Sequence, residues 1–183
     1  MAEPPKPAAA KAPVKMAATP WEAELPSQLK AELADRIVEA ASYLGQNFFV
    51  VKPAAIVEVL EYLKLEFDFD YLADLTAVHY PKEEEQFEVV YTLYSFARNE
   101  RIRLKIRIKD GEKPETVTCV YLTANWLERE VFDMFGIEFA NHPDMRRLLM
   151  PDEWTGHPLR KDYKILEMDN RWVQENLGIE SGQ

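Results

Sequence analysis

The chain has 183 residues, of which 47% are hydrophobic and 11% aromatic, and this is enough apolar surface to bury one core. Its formal net charge of -10 repels phosphate backbones and anionic lipids, so binding to nucleic acid or directly to a bilayer requires a concentrated basic patch. Charged residues interrupt every hydrophobic run, and we therefore expect no membrane-spanning helix.

Residues 1–25 are expected to form a disordered tail. Five of the twelve prolines lie in residues 1–20, together with three lysines and many alanines, and this composition is unlike that of a signal peptide. The absence of arginine and the interrupting prolines also disfavour an amphipathic transit peptide.

Residues 26–136 are predicted to form an α+β domain. Ordered structure is expected to begin at Pro26 and Ser27, with Ser27 as the N-cap of a first helix that continues until Gly45 stops it. Its apolar residues recur at helical spacing as Leu29, Leu33, Ile37 and Leu44. Residues 46–51 predict a short strand, and Pro53 fits the first turn of a second helix.

A mainly antiparallel sheet of about four strands is expected to follow, with the helices packed on it. Three further segments are rich in β-branched and aromatic residues, and short polar turns separate them. They are Tyr71–Tyr80, Phe87–Ala97 and Arg101–Lys109. A third helix is predicted over residues 123–135, ending at Gly136.

The last of these strands alternates basic and aliphatic residues, as RIRLKIRIK. The two-residue period places four aliphatic side chains on one face. The other face carries Arg101, Arg103, Lys105, Arg107 and Lys109. With an overall charge of -10, we expect this stripe to be solvated or paired with acids, with contact to protein next and nucleic acid well behind.

Three histidines and one cysteine are the candidate reactive groups. His79, His142 and His157 do not have the spacing of a metal site, and we expect them to form hydrogen bonds instead. Cys119 stands in a β-prone run, where a small buried apolar side chain is expected rather than a nucleophile. A single cysteine also excludes an internal disulfide or a multi-cysteine cluster, and favours a reducing, cytoplasmic-side location.

The third helix is predicted to present charges beside an exposed tryptophan. Its projection places Trp126, Arg129, Glu130 and Asp133 on the face opposite its apolar residues. Arg129 and Asp133 are four residues apart, so an ordinary surface ion pair is one interpretation. A protein interface is the other, because tryptophan ringed by charges is typical of interface hot spots.

Residues 137–183 predict an extended partner-docking arm and a C-terminal tail. Pro143, Pro151 and Pro158 recur every seven or eight residues, which forbids long helices and central strands. The segment nevertheless carries too many apolar side chains to remain in water. A short helix is predicted near its end, at Asp169–Leu177.

Several motifs together resemble one known family. Residues 128–130 read Glu-Arg-Glu and residues 133–135 read Asp-Met-Phe, followed by HPDMRRLLMP at 142–151 and GHPLRKDY at 156–163. Upstream, residues 74–80 read DLTAVHY. This pattern closely resembles the C subunit family of respiratory NADH:quinone oxidoreductase, complex I, and the number of specified positions makes chance agreement negligible.

The resemblance implies a hydrophilic subunit of the peripheral arm of complex I, packed against the D subunit and its neighbours near the quinone-reducing end. In that family FMN and the iron–sulfur clusters belong to partner subunits, so the resemblance implies no cofactor, no metal and no active site in this chain. The same role in a related complex with another electron donor stays open. Two rival functions are a nucleic-acid-binding module that uses the basic strand and a metal hydrolase that uses the histidines.

A partner interface is therefore expected on the third helix and the arm. Arg129, Glu130 and Asp133 are predicted as orienting charges. The basic pairs 146–147 and 160–161 are predicted as bridges to the partner, with Trp154 and Tyr163 as apolar anchors, while His142 and Asp144 close either the interface or a local turn. The complete predicted interface is Trp126, Arg129, Glu130, Asp133, His142, Asp144, Arg146, Arg147, Trp154, His157, Arg160, Lys161 and Tyr163.

Overall fold

Six strands form one mixed sheet in the computed structural model, which describes residues 17–164 and 170–178. The strands are β1 (Thr19–Pro20), β2 (Ile37–Tyr43), β3 (Gln46–Val51), β4 (Tyr71–His79), β5 (Phe87–Ser95) and β6 (Glu100–Ile108). The helices are α1 (Glu24–Glu32), α2 (Ile56–Phe67), α3 (Ala124–Phe135) and α4 (Asn170–Leu177), with short 3-10 turns at Ala34–Arg36 and Pro53–Ala55.

The spatial order of the strands is β1-β2-β3-β6-β5-β4. Every neighbouring pair is antiparallel except β3 and β6, which are parallel. The predicted α+β class is therefore correct, but the expectation of about four antiparallel strands is wrong in number and in one pairing. The parallel pair arises because the chain leaves β3 through α2 and returns to it only after the β4–β5–β6 meander.

The predicted first helix is wrong beyond its first half. It ends at Glu32, and residues 37–43 instead form β2, which pairs with β3 across a two-residue turn. Leu44 and Gly45 have φ values of 52° and 73°, which suit a tight hairpin between twisted strands. Gly45 is therefore a hairpin residue, and the hydrogen bonds of the ladder override a helical spacing of apolar residues.

Regular structure begins before the predicted boundary at residue 26. Strand β1 and the first residues of α1 lie in the segment assigned to the tail, and Trp21 packs against Phe49 with tilted rings whose centroids are 4.9 Å apart. Ser27 lies inside α1, where its hydroxyl donates to the carbonyl oxygen of Ala23. It is not the N-cap. Residues 1–16 of the predicted tail lie outside the described residues.

The core lies between one face of the sheet and helices α1, α2 and α3. Strand β6 confirms the predicted alternation, because its aliphatic side chains point into the core and are fully buried. They are Ile102, Leu104, Ile106 and Ile108. Each contributes roughly 1.5–3 kcal/mol to folding through burial.

The segment between β6 and α3 differs from the prediction around Cys119. Residues 118–120 form a turn, and Cys119 is exposed rather than buried in a strand. Helix α3 then ends where it was predicted to end, at Gly136, whose φ of 78° gives the left-handed C-terminal conformation that glycine adopts without strain.

Residues 137–164 contain turns and one isolated bridge, between Glu115 and Ala140, but no helix or strand. Ile137 and Phe139 are buried in the main core, so the core domain continues past the predicted boundary at residue 136. Helix α4 is observed where a short helix was predicted, whereas residues 165–169 and 179–183 lie outside the described part of the chain. Within the described residues no helix is long and apolar enough to cross a bilayer.

Candidate functional site

Asp133 lies in the last turns of α3 and holds the arm against the helix. Its Oδ2 accepts hydrogen bonds from three consecutive backbone N–H groups, of Leu148, Leu149 and Met150, at 3.0, 2.6 and 2.8 Å. Its Oδ1 lies 2.7 Å from Nη1 of Arg147. The prediction of an exposed Asp133 is wrong, because the side chain is fully buried.

The charge on Asp133 is stabilised by these donors. Burial alone would raise the pKa of the carboxyl group, but the N–H groups of residues 148–150 and the Arg147 guanidinium outweigh it and lower the pKa below its ordinary value. The buried charge of Asp133, which lies in α3 beneath the arm, is thus compensated within the chain, as a buried ion pair must be to be tolerated.

Arg147 and Arg129 both act inside the chain. Arg147 also donates to the carbonyl oxygen of Gly156 at 3.1 Å, and its side chain is largely buried. Arg129 donates to the carbonyl oxygens of Arg146 and Arg147 at 3.1 and 3.2 Å. The considered ion pair between Arg129 and Asp133 does not form, since each side chain binds the arm instead.

His157 closes the second contact between α3 and the arm. Its Nδ1 lies 3.0 Å from the carbonyl oxygen of Asp133, and its ring packs on Phe132 with centroids 6.1 Å apart. A Cβ built on Gly136 would lie 2.7 Å from the ring of His157. The glycine therefore serves both the left-handed helix end and the close approach of the histidine.

His142 and Asp144 form the local turn that was one of the two alternatives. Nδ1 of His142 accepts a hydrogen bond from the backbone N–H of Asp144 at 3.0 Å, and Nε2 lies 3.2 Å from the carbonyl oxygen of Asn125. Asp144 binds Arg146 with two contacts of 2.6 Å. Arg146 is exposed, so this pair is available at the surface.

Glu128 is a buried carboxyl group to which the sequence analysis gave no role. It accepts hydrogen bonds from the Thr116 hydroxyl at 2.5 Å and the Val117 backbone N–H at 2.7 Å. Burial raises the pKa of Glu128 to about 7, although both hydrogen bonds lower it. The helical period contained the signal, because Glu128 lies three and seven residues before the core residues Val131 and Phe135.

The distal end of the arm, at Arg160 and Lys161, contacts the sheet. Arg160 makes two contacts with Asp110, at 3.2 and 2.9 Å, and lies over the ring of Phe87. The backbone N–H of Lys161 donates to Nδ1 of His79, and the Lys161 amine lies over the Tyr80 ring. Arg160, like Arg147, therefore has its ion pair within the chain.

The predicted anchors Trp154 and Tyr163 are half-buried in the arm itself. Trp154 packs edge-on against Trp172 of α4 at 5.4 Å, and the Tyr163 ring lies next to Gly156. The Trp154 Nε1 and the Tyr163 hydroxyl are buried and have no hydrogen-bond partner among the described residues. Both rings therefore pack within the folded arm.

Apolar side chains remain exposed on α3 and the arm once these contacts are formed. Trp126 is 60% exposed, Leu149 62% and Leu159 54%. Arg129 lies over the Trp126 ring at 5.0 Å, and Glu130 is exposed beside it. We call Trp126, Glu130, Arg146, Leu149 and Leu159 the docking surface. Its composition, aromatic and aliphatic side chains bordered by charges, is typical of a protein interface.

The three histidines take part in separate local contacts. Nowhere in residues 17–164 or 170–178 do three or more His, Cys, Asp or Glu side chains form a group that could hold a metal ion. The arrangement suits packing and docking, since its carboxylates and imidazoles are already occupied by hydrogen bonds within the chain.

The sequence of this chain matches a known protein family. A family model described as "Respiratory-chain NADH dehydrogenase, 30 Kd subunit" matches residues 49–168. The chain belongs to this family. The match to the 30 Kd subunit family begins in β3 and includes α3 and the described arm, so the docking surface lies within it.

Three individual proteins named as the C subunit are also similar to this chain in sequence. The C subunit of NADH-quinone oxidoreductase from Geobacter sulfurreducens is 44% identical over 140 residues, which cover 75% of this chain and 86% of that protein. The C subunit from Trichlorobacter lovleyi is 45% identical over 140 residues, with the same coverage of 75% and 86%. The C subunit from Ruegeria pomeroyi is 41% identical over 142 residues, 76% of this chain and 71% of that protein.

The fold is also similar to a chain in a solved structure. That structure is of the membrane-bound sulfane sulfur reductase, an archaeal respiratory membrane complex, and its matching chain is 28% identical with a TM-score of 0.68. The match covers 85% of this chain and 91% of that one. The fold of the 30 Kd subunit family therefore also occurs in a respiratory complex named for another substrate.

Proposed function

We propose that this chain is the C subunit of a NADH:quinone oxidoreductase and that it acts there as a docking subunit with no redox cofactor and no active site of its own. Membership in the 30 Kd subunit family and identities of 41–45% to proteins named as the C subunit support the assignment. The observation that carries the docking role is that Arg147 and Arg160 of the arm form ion pairs within the chain, while Trp126, Leu149 and Leu159 stay exposed.

The internal ion pairs and the exposed apolar side chains have different roles in docking. An arm already fixed by Asp133 and Arg147 loses little conformational freedom on binding, so less of the interaction energy is spent on ordering. Trp126 and Leu149 then supply apolar area to be buried by the partner. Arg146 and Glu130, at the border, favour a partner surface with complementary charges.

The D subunit is the proposed partner of the docking surface, within the peripheral arm on the cytoplasmic side of the membrane. Electrons from NADH would pass through flavin and iron–sulfur clusters held by other subunits to quinone. One cysteine in the whole sequence cannot supply the thiolate ligands of such a cluster. The contribution of this chain is therefore to position its neighbours.

The double variant Trp126→Ala with Leu149→Ala tests the docking role. We expect reduced recovery of assembled peripheral arm and reduced NADH:quinone reductase activity, with unchanged stability of the isolated chain. Leu65→Ala is the matched control, because Leu65 is a 76% exposed leucine on α2, outside the docking surface. Normal assembly and activity in the double variant would remove the docking assignment.

A second candidate is the same role in a related complex with a different electron donor. The similarity to a chain of the sulfane sulfur reductase complex favours keeping it. Oxidation of NADH and of reduced ferredoxin by the purified complex separates the two candidates. Turnover with NADH supports the first, and turnover with ferredoxin alone supports the second.

A further inference from the structure

The sheet has a second face, opposite α1, α2 and α3. The arm reaches this face at one edge, where Lys161 lies over the Tyr80 ring. The strand register places Thr92, Arg103, Phe48 and Ala41 side by side across this face, and Val90, Lys105, Val50 and Glu39 in the next row. We call this surface the open face. The side chains that give it its character are Phe48, Val50, Arg101, Arg103, Lys105 and Arg107.

The open face is grooved rather than flat. Two neighbouring grooves of about 510 and 520 Å³ share Phe48, Lys105 and Arg107 among their lining residues. Phe48 and Val50 are only half-buried on this face. The Lys105 amine lies 4.5 Å from the centre of the Phe48 ring. Aromatic and aliphatic side chains thus lie between cationic groups, as at protein interfaces.

Acidic side chains neutralise only one end of the basic stripe. Lys105 lies 3.1 Å from Glu88, and Arg107 lies 2.7 Å from Glu83 and 3.4 Å from Glu88. Arg101 and Arg103, at the other end, form no ion pair with any residue in the described part of the chain. The open face therefore has positive charge that is not compensated beside apolar surface that is not covered.

We propose that the open face binds an acidic segment of another protein chain, whose carboxylates pair with Arg101 and Arg103 and whose apolar side chains cover Phe48 and Val50. This surface is separate from the docking surface on α3 and the arm, so the proposal goes beyond the proposed function. An acidic protein segment matches both the uncompensated charge and the apolar groove.

Other occupants fit the charges less well. Residues 1–16 of this chain carry three lysines and one glutamate, so their charge does not complement that of the open face. A second copy joined by a two-fold axis would bring two basic stripes together. Nucleic acid would be repelled by the acidic residues that border the stripe, Glu39, Glu83 and Glu88. The net charge of -10 on the chain adds to this repulsion.

Zero-length carbodiimide cross-linking of the assembled complex tests the proposal, because this reagent joins an amine to a carboxylate only when the two are in contact. The variant Arg103→Lys places an amine at the unpaired end of the stripe. We expect a cross-link from this position, and from Lys105, to an Asp or Glu of a different subunit, identified by mass spectrometry. Cross-links confined to acids of this chain or of a second copy would overturn the proposal.

Charge reversal provides the independent measurement. Arg101→Glu with Arg103→Glu is expected to abolish the cross-link between Lys105 and the other subunit without changing the thermal midpoint of the isolated chain. Lys30→Glu, on α1, reverses an exposed charge away from the open face and should leave the cross-link intact. Retention of the cross-link in the double variant would contradict the proposal. Binding of wild type to single-stranded RNA that the double variant loses would reassign the open face to nucleic acid.

Discussion

Nη1 of Arg147 lies 2.7 Å from Oδ1 of Asp133, although the two residues are on different elements, one on the arm and one in α3. The same carboxylate accepts hydrogen bonds from the backbone N–H groups of the three residues that follow Arg147. One buried carboxylate therefore fixes both a side chain and the backbone of the arm. Variants of Asp133 and of its neighbours separate this internal role from binding to a partner.

Replacing Asp133 by asparagine should destabilise the chain. The asparagine side chain would retain one acceptor oxygen, but its amide would face the Arg147 guanidinium and leave that charge without its partner. We expect a loss of about 3 kcal/mol in the free energy of unfolding, measured in urea. Glu130→Gln, an exposed change on the same helix, is the control. Equal unfolding midpoints for D133N and wild type would contradict the assigned role.

Arg146 and Arg147 are adjacent, but their replacement by alanine should have different effects on stability and on assembly. Arg147→Ala removes the partner of buried Asp133 and should lower the urea midpoint of the isolated chain. Arg146→Ala removes only an exposed pair with Asp144, so the midpoint should change little while recovery of the assembled peripheral arm falls. The two measurements on each variant check this. Equal losses of stability in both variants would show that Arg146 is structural as well.

Glu128 should make stability fall with rising pH. Its pKa is raised to about 7 in the folded chain from an ordinary 4.5, so protonated Glu128 favours the folded state. The contribution is complete below about pH 4.5 and is lost as the pH rises through about 7. Glu128→Gln should match wild type near pH 4 and be more stable by about 3 kcal/mol near pH 8. A constant difference across this range would exclude the titration of Glu128 as the cause.

Gly136→Ala should lower the free energy of unfolding by more than the strain of a left-handed backbone alone explains. The new methyl would meet His157 at 2.7 Å, in addition to the strain of φ +78°. Gly111→Ala is the matched control, because Gly111 has φ +81° with nothing within 4 Å of the added Cβ. We expect roughly 1 kcal/mol for the control and a larger loss of unfolding free energy for G136A. Equal losses would show that His157 moves aside freely.

The sequence predicted β6 correctly because basic and aliphatic residues alternate there without exception. A two-residue period is the side-chain period of a β-strand. It failed at residues 37–44, where apolar spacing suited a helix, because pairing with β3 provides the hydrogen bonds that decide the conformation. The parallel contact of β3 with β6 joins residues about fifty positions apart. No local pattern contains that information.

For the site residues too, local patterns predicted some features, while others depend on contacts between distant parts of the chain. The motifs located Arg129, Asp133 and Arg147, but helical projection could not tell that the arm folds back over α3 and buries Asp133. The open face was anticipated as a basic stripe, whereas its apolar neighbours Phe48 and Val50 are brought to it by strands that are distant in sequence. Long-range pairing, rather than residue type, separates what was predicted from what was not.

Amide hydrogen exchange at Leu148, Leu149 and Met150 tests the central claim that Asp133 holds the arm in its docking conformation before any partner binds. We predict that these three amides are protected in the isolated wild-type chain, that Asp133→Asn removes the protection, and that adding the D subunit to wild type increases it little. Rapid exchange of all three amides in the isolated chain, with protection appearing only when the D subunit binds, would contradict the claim.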